Sequence, residues 1–137
     1  MNVVDSSAWL EYFAGGPNAG RFAATIENPG KLLVPSITLL EVFKRISQQR
    51  DDSVALQYIA VMQQGEVVDL DADLALRAAV LGQQHKLPLA DSIIYATAQR
   101  ANALVWTQDA DFEGLSDVRY WKKFSSSEAV EHKKSST

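Results

Sequence analysis

Short apolar runs alternate along the chain with longer stretches in which apolar residues recur every three or four positions. A short, mostly apolar run is typical of a buried strand, whereas the longer recurrence is typical of an amphipathic helix. The runs predict strands over residues 1–4, 31–34, 66–70, 103–107 and 118–121. The recurring stretches predict helices over residues 8–13, 21–27, 35–46, 54–63, 71–85 and 88–102.

Strands that alternate with helices predict an α/β fold, because parallel strands need a crossover between them and that crossover is usually a helix. The strands are nearly all apolar, as expected of a sheet covered on both faces. We therefore expect a three-layer α/β/α fold with a central, mainly parallel sheet of four to five strands. The 137 residues suit a single domain. We place that domain at residues 1–124, and we expect the serine-rich residues 125–137 to form a polar, mobile tail.

Composition removes several classes of function. The chain has no cysteine, which excludes disulfide scaffolds, thiol nucleophiles and cysteine-ligated metal centres. The N-terminus lacks the basic and apolar segments of a secretory signal, and no apolar run approaches the roughly 18–20 residues of a membrane span. We therefore expect a cytoplasmic protein with no membrane partner.

The net charge of −4 argues at first against a nucleic-acid partner. It arises from 17 acidic and 13 basic residues. If four of the acids were gathered in one metal site, the remaining 13 would balance the 13 bases and leave the rest of the surface neutral. The overall charge therefore does not decide whether the protein binds nucleic acid.

Several catalytic motifs are missing from the sequence. There is no G-x-x-x-x-G-K-[ST] phosphate loop and no G-x-G-x-x-G after the first predicted strand. The glycine-rich residues 15–20 link two predicted helices, as an ordinary loop does. His132 lies in the predicted tail and His85 near the end of a predicted helix. Without a serine–histidine constellation, Ser6 and Ser7 are interpreted as helix caps.

Carboxylates are the remaining candidates for chemistry. Asp5, Asp109 and Asp111 follow predicted strands, whereas Glu41 and Asp91 lie near the start of predicted helices. In a parallel α/β sheet, the carboxyl ends of the strands and the N-termini of the following helices share one edge. We therefore expect these acids to lie at one edge of the sheet.

Each acid also has an explanation without a function. Asp5 could cap the first helix, and Asp109 and Asp111 could cap a turn. Glu41 could form a surface ion pair with the arginine four residues later, and Asp91 gains from the helix dipole. However, four ionised carboxylates at one place raise one another's pKa, and a bound cation removes that cost. Convergence would therefore favour a metal site.

An all-oxygen ligand set favours Mg²⁺ or Mn²⁺ and suits zinc poorly. Mg²⁺ keeps several waters and commonly bridges carboxylates to phosphate oxygens, which fits a phosphodiester substrate. One or two such ions could lower the pKa of an attacking water and neutralise charge on the pentacoordinate phosphate.

Four short motifs resemble those of PIN domains, and more narrowly those of the VapC-type toxins of bacterial toxin–antitoxin pairs. They are Val4-Asp5-Ser6-Ser7-Ala8-Trp9-Leu10, the helix that carries Glu41, Leu89-Ala90-Asp91-Ser92, and Thr107-Gln108-Asp109-Ala110-Asp111-Phe112. The resemblance covers residues 1–124. It implies a ribonuclease that depends on Mg²⁺ or Mn²⁺.

The resemblance also implies roles for individual residues. The acids that it places at the catalytic and metal-binding positions are Asp5, Glu41, Asp91 and Asp109. Of these, Asp5 and Asp91 are the expected direct ligands. The supporting positions are Thr107 as the hydroxyl residue before the last acid, Ser6 as the hydroxyl beside the first, and Asp111 as a variable fifth acid.

These observations lead to the hypothesis of an endoribonuclease that acts as the toxin of a toxin–antitoxin pair. It would cleave RNA by in-line attack of metal-activated water, without a covalent intermediate. Glu41 or Asp109 could orient that water. Lys44, Arg45 and Arg50 could hold the RNA backbone, or they could form an ordinary solvated helix face.

Large aromatic side chains are frequent on the helices of the amino-terminal half. They are Trp9, Tyr12, Phe13, Phe43 and Tyr58. Each could belong to the core, but together they exceed what a small core readily hides. The resemblance implies that a small antitoxin protein wraps such a surface and places a basic side chain in the acidic pocket. It also implies a homodimer.

Two alternatives remain from the sequence. A receiver-like domain would take phosphate on an aspartate after the third strand, with Asp69 or Asp71 in that place and Lys122 or Lys123 as the lysine after the fifth. Asp5 is followed by two serines, so the acidic pair expected after the first strand of such a domain is missing. The second alternative is a PIN fold that only binds a partner, against which the presence of all four acids argues.

Overall fold

The computed structural model describes residues 1–125 and 127–128. Its centre is a five-stranded sheet in the order β3-β2-β1-β4-β5, in which every neighbouring pair is parallel. The strands are β1 (Asn2–Val4), β2 (Leu32–Pro35), β3 (Glu66–Val68), β4 (Leu104–Thr107) and β5 (Val118–Tyr120). The predicted parallel α/β sheet is confirmed, with five strands.

Within residues 1–125, six α-helices cover the sheet, as the apolar recurrence predicts. They are α1 (Ser6–Ala14), α2 (Ala19–Ile26), α3 (Ser36–Gln49), α4 (Asp52–Met62), α5 (Ala72–His85) and α6 (Leu89–Arg100). Two short 3₁₀ turns, Pro29–Lys31 and Ala110–Phe112, were not predicted, because three residues are too few to show a period. Gly15 ends α1 in the left-handed conformation (φ 64°), and residues 15–18 form a loop as expected, whereas α2 already begins at Ala19 inside the predicted loop.

The three layers follow from the alternation of side chains along the strands. Val4 belongs to the apolar cluster under α1, α2 and α4, whereas the preceding Val3 belongs to the cluster under α6. In β2, Val34 belongs to the first of these clusters and Leu33 to the second. Successive strand residues point to opposite faces, so each strand contributes to both cores. The α/β/α layering is thereby confirmed.

The edge strand β3 departs from the expected two-sided cover. Glu66 is exposed and Val67 keeps 38% of its surface exposed. β3 pairs with β2 alone, at the end of the sheet, so the flanking helices extend over it less than over the central strands. The apolar side chains of β3 therefore lie at the edge of the sheet and contribute less to the core than those of the central strands.

The segment after β5 folds back onto the sheet. Trp121 stacks on Trp106 with ring centroids 5.5 Å apart, and its backbone N–H donates to the Thr107 carbonyl oxygen at 3.1 Å. Residues 126 and 129–137 lie outside the described residues, so the domain boundary at 124 and the tail remain predictions. Within the described part of the chain, no helix is both long and apolar enough to cross a membrane.

Candidate metal centre

Three carboxylates from distant parts of the sequence meet at the carboxyl edge of the sheet. Asp5 follows β1, Asp91 lies in the first turn of α6, and Asp109 lies two residues after β4. Each offers one oxygen, and these oxygens all lie within 4.8 Å of one another. The edge that the parallel topology defines therefore gathers three of the five predicted acids into one cluster.

Asp5 is a helix cap and a cluster member at the same time. Its Oδ1 accepts hydrogen bonds from the Ala8 backbone N–H at 3.2 Å and from the Ser7 hydroxyl at 2.8 Å. The carboxyl group is 2% exposed, and this burial raises its pKa to about 7. Hydrogen bonds from Ser7, Ala8 and Thr107 oppose that rise, and the nearby charge of Asp109 adds to it.

Asp91 carries the strongest electrostatic signature of the site. Burial raises its pKa to about 8, and the neighbouring charges of Asp109, Asp5, Asp111 and Glu41 add to the rise. A carboxyl group that is buried among four other acids is costly to ionise. A divalent cation would offset both the burial and the repulsion. The all-oxygen donor set is the kind that Mg²⁺ and Mn²⁺ prefer, so these residues fit such an ion.

Glu41 lies beside the cluster without belonging to it. Its Oε1 accepts a hydrogen bond from the Ser6 hydroxyl at 2.6 Å, and its charge contributes to the raised pKa of Asp91. Among the described residues, no ion pair joins Glu41 to Arg45, so the surface-pair interpretation is wrong. Glu41 therefore faces the site, one hydrogen bond away from the helix that Asp5 caps.

The turn after β4 positions Asp109. The buried Thr107 hydroxyl oxygen accepts the Asp109 backbone N–H at 2.9 Å, and Asp109 Oδ1 accepts the Asp111 N–H at 2.9 Å. Asp109 is thus both the cap of the 3₁₀ turn and a member of the cluster. Asp111 is exposed and reaches the cluster through its charge, which adds to the raised pKa of Asp91.

Ser6 and Ser7 are not the caps that the sequence predicts, because Asp5 caps α1 and both serines lie in its first turn, and the contact of Ser7 with Asp5 was not predicted. We predicted Ser6 as the hydroxyl beside the first acid, but Ser7 donates to Asp5, whereas Ser6 donates to Glu41. The signal was present in the local pattern: a serine two residues after a capping aspartate also donates to it at Asp51, where the Ser53 bond is 2.7 Å. Because this pattern is common in helix caps, it indicates the orientation of the Ser7 hydroxyl and gives no evidence of a catalytic role.

A groove of about 480 Å³ opens beside the cluster. Ser6, Ser7 and Glu41 line one part of it, and its other lining residues include the cations Arg45, Arg50 and Lys123 and the aromatic rings of Phe13 and Tyr58. Phe13 and Tyr58 stack with their centroids 4.2 Å apart. Two of the three predicted basic residues therefore line a groove next to the acids, whereas Lys44 is exposed and does not.

Only part of the predicted aromatic surface is accessible. Trp9 is fully buried, so of the two interpretations left open for each ring the core applies to it. It lies on the inner side of α1, which packs against α2, α3 and β4. Tyr12, Phe13, Phe43 and Tyr58 are partly buried at the rim of the same cluster. These four rings form the outer aromatic layer of the amino-terminal half.

The comparisons with known proteins agree with this architecture. A family model described as PIN domain matches residues 3–118. No curated protein matches the chain by sequence. A toxin–antitoxin complex from Klebsiella pneumoniae shares the fold with a TM-score of 0.75 and 24% identity, over 90% of this chain and 100% of that chain.

Two further solved structures share the fold at lower identity. VapC20 of Mycobacterium tuberculosis, a sarcin–ricin loop cleaving toxin, has a TM-score of 0.70 and 20% identity over 86% of this chain and 97% of its own. VapBC2 from Rickettsia felis, bound to a promoter DNA fragment, has a TM-score of 0.69 and 14% identity over 88% and 98%. Because the family model matches nearly the whole sheet and its helices, this chain belongs to the PIN domain family.

Proposed function

We propose that this protein is a divalent-metal-dependent endoribonuclease that acts as the toxin of a toxin–antitoxin pair. The observation that carries the proposal is the convergence of Asp5, Asp91 and Asp109 at the sheet edge of a PIN fold. Asp5 and Asp91 have raised pKa values, and perturbed pKa values in a cleft are typical of functional sites. The RNA substrate is supported by the likeness in fold to a toxin that cleaves the sarcin–ricin loop.

In the proposed site, Asp5, Asp91 and Asp109 hold Mg²⁺ or Mn²⁺. When bound, such an ion lowers the pKa of a water and neutralises charge on a phosphate. Water attacks the RNA phosphorus in line, the bond from phosphorus to the ribose oxygen on the opposite side breaks, and that oxygen takes up a proton from solvent while the attacking water loses one. No side chain forms a covalent bond with the phosphate. Glu41, which the Ser6 hydroxyl fixes at 2.6 Å, orients the water. Thr107 keeps Asp109 in place through its backbone N–H.

The groove is the proposed path of the RNA backbone. Arg45, Arg50 and Lys123 line it, and their charges would offset those of the phosphates. The lining holds these three cations against two acids, Glu11 and Glu41, and the net charge of −4 conceals this local balance.

The same groove is the proposed docking site of the antitoxin. Phe13 and Tyr58 give it an aromatic wall that an apolar side chain could cover, and Glu41 and the acid cluster lie at its end. A bound segment that carries a basic side chain would pair with those acids and exclude both metal and RNA. The likeness in fold to toxin–antitoxin complexes from Klebsiella pneumoniae and Rickettsia felis supports this assignment.

The receiver-like alternative disagrees with the strand order. β3 lies at the edge of the sheet, with β2 between it and β1, so Asp69 and Asp71 follow a strand that is not next to Asp5. Asp71 instead caps α5 and pairs with Arg100 at 3.0 Å. The fold therefore does not build the phosphate-accepting pocket of a receiver domain. A cleavage experiment distinguishes the proposed nuclease from the alternative of a PIN fold that only binds a partner.

Cleavage of RNA is expected to require a divalent ion. Total RNA is incubated with the protein in Mg²⁺ or Mn²⁺ and, in parallel, with excess EDTA, and the products are separated by size. We expect fragments in either ion and intact RNA in EDTA, because without a cation the crowded carboxylates cannot stabilise charge on the phosphate. Exposed Asp52 serves as the matched control, and Asp52→Asn should cleave normally. Cleavage that persists in EDTA contradicts the metal mechanism, and intact RNA in both ions leaves the binding-only alternative.

The homodimer is proposed to form through α5. Leu76 and Val80 lie one turn apart on this helix and are 72% and 54% exposed. Together with Leu81 and Ala96 they line an apolar groove of about 510 Å³. Exposed apolar patches of this kind mark contact surfaces. A second copy that covers the patch would remove both side chains from water.

Leu76→Lys is expected to convert the dimer to a monomer, because it places a charge in the middle of the buried patch. Light scattering across a concentration series measures the molecular mass. Leu56→Lys on α4 is the matched control, since Leu56 is also 60% exposed but lies outside this groove. A wild-type protein that remains monomeric, or a dimer that survives Leu76→Lys, contradicts the assignment of this surface.

A further inference from the structure

Gln108 occupies an unusual place between two residues of the site. It follows Thr107 and precedes Asp109, is 4% exposed, and lines the groove. Its backbone N–H faces the Ser7 hydroxyl oxygen at 3.4 Å, and Ser7 in turn donates to Asp5. Gln108 is therefore tied to both sides of the acid cluster, although it carries no charge of its own.

Its side-chain amide is held by Asn18, which is 90 residues away in sequence. Asn18 Nδ2 donates to Gln108 Oε1 at 3.0 Å and to the Lys122 carbonyl oxygen at 3.1 Å. The Asn18 backbone N–H donates to Glu11 Oε2 at 2.8 Å, which anchors the loop that carries it. Asn18 itself is fully buried. The two amides are thus fixed in position by the loop and by the segment after β5.

These contacts also fix which way the Gln108 amide points. The Lys122 carbonyl can only accept, so Asn18 must turn its nitrogen toward it. That nitrogen also faces Gln108, which must therefore present its oxygen. Gln108 Nε2 is left pointing away from Asn18, and among the described residues none accepts a hydrogen bond from it.

Asn18 maintains this arrangement at a cost. Its Oδ1 is buried and has no hydrogen-bond partner within the described residues. Buried polar atoms normally find a partner. Both side-chain hydrogen bonds of Asn18 use its nitrogen as the donor, and its oxygen has no partner within the described residues. The orientation of this side chain therefore satisfies the two acceptors that it holds, Gln108 Oε1 and the Lys122 carbonyl oxygen, and leaves its own oxygen unsatisfied.

We propose that Gln108 Nε2 binds a non-bridging phosphate oxygen of the RNA in the groove, and that Asn18 is the positioning residue that sets the polarity of this amide. The proposal rests on the proposed ribonuclease function. A neutral amide donates to phosphate without neutralising the carboxylates, so it can act beside them.

The first test compares Gln108→Met with wild type, using short single-stranded RNAs of two different sequences. Binding is measured in EDTA by titration, and KM and kcat are measured in Mg²⁺. Methionine keeps the length of the side chain and removes the donor. We expect Kd and KM to rise about five- to tenfold for both RNAs while kcat stays within about twofold, the scale of one neutral hydrogen bond. Gln64→Met, in an exposed turn, is the matched control.

Salt and sequence dependence distinguish this contact from other roles of Gln108. A neutral donor contributes no counterion release, so the slope of log Kd against log salt should equal that of wild type. A defect confined to one RNA sequence would mean that Gln108 contacts a base and would overturn the assignment to phosphate. Binding and KM equal to those of wild type would overturn the proposal as a whole.

Asn18→Asp tests the positioning role. Aspartate can only accept, so Gln108 must turn Nε2 toward it and withdraw the donor from the groove. We expect the same rise in Kd and KM as for Gln108→Met, with no further rise when the two changes are combined. Additive defects would overturn the positioning role of Asn18. Should Asn18→Asp fail to fold, Asn18→Leu, which removes both side-chain donors, takes its place and is expected to raise Kd and KM in the same way; values equal to those of wild type would overturn the positioning role.

The failure of this proposal can be told from the failure of the proposed function. If wild-type protein cleaves RNA in Mg²⁺ and Gln108→Met binds and cleaves equally well, only the assignment of Gln108 is wrong. If wild-type protein neither binds nor cleaves RNA, the ribonuclease function has failed, and the assignment of Gln108 fails with it.

Discussion

Replacing Asp91 by asparagine is expected to abolish RNA cleavage and at the same time raise the temperature at which the metal-free protein unfolds. The variant loses the charge that helps to hold the cation, and we expect activity to fall at least about 100-fold. It also loses a carboxyl group whose pKa the site raises to about 8. The unfolded chain ionises this carboxyl group freely, whereas the folded state must either keep it protonated or ionise it beside Asp5 and Asp109, so its replacement removes a free-energy cost of folding at neutral pH. Each kcal/mol gained moves the melting temperature by about 4 °C in a domain of this size.

Thermal melts of the wild type and of Asp91→Asn, in EDTA and in each ion, measure the change in metal-free stability and the change in the response to metal. Mg²⁺ or Mn²⁺ should stabilise the wild type by about 2.7 kcal/mol at 100 times the dissociation constant, and should stabilise Asp91→Asn much less. Asp73→Asn is the matched control: Asp73 pairs with Arg77 at 2.7 Å and with Arg100 at 3.2 Å on the surface, so this change should lower stability slightly and leave the metal response intact. A variant at position 91 that melts lower without metal, yet responds to metal as the wild type does, would show that the cluster does not act as a unit.

The metal-free protein is expected to lose stability as the pH rises from about 4 to about 8. Asp5 and Asp91 have pKa values of about 7 and about 8 in the folded chain, against 3.8 when unperturbed. Between these limits the folded protein retains protons that the unfolded chain has released, so the free energy of unfolding falls with increasing pH. Above about pH 8 this contribution no longer changes with pH. Chemical denaturation across the pH range, in EDTA, measures the trend.

At low pH, other acids limit the stability of the metal-free protein. Hydrogen bonds from Ser53 and the Val54 backbone N–H lower the pKa of Asp51, and contacts with Leu74 N–H and Arg100 lower that of Asp71. Their contribution is present above the unfolded pKa and is lost as the pH falls through the lowered values. The stability maximum of the metal-free protein therefore lies near pH 4 to 5.

Metal should reverse the upper part of this dependence. Binding requires ionised carboxylates, so the affinity for Mn²⁺ should increase as the pH rises through 7 and 8. Asp91→Asn should show a shallower decline without metal, because one of the two retained protons is gone. A metal-free stability that stays level between pH 4 and pH 8 would contradict the raised pKa values and with them the crowding of the three acids.

Several features of the site follow from the sequence alone. The alternation of apolar runs with helical periodicity determines a parallel sheet, and a parallel sheet brings the residues after its strands to one edge. Asp5 and Asp109 follow strands, and Asp91 opens a helix, so their arrival at a common edge needs only the order of the elements. The same reasoning places Glu41 and Asp111 nearby, and it cannot separate them from the other three.

The tertiary structure decided which of these acids come close enough to share one ion. Asp5, Asp91 and Asp109 bring oxygens within 4.8 Å, whereas Glu41 is engaged by Ser6 and Asp111 remains exposed. It also placed β3 at the edge, where the residues after it are kept from the site, and it paired Asn18 with Gln108 across 90 residues. Periodicity specifies the face of an element on which a residue lies. The distance between two side chains depends on strand order, on the turns that end each element and on rotamers chosen by packing, and these are properties of the whole folded chain.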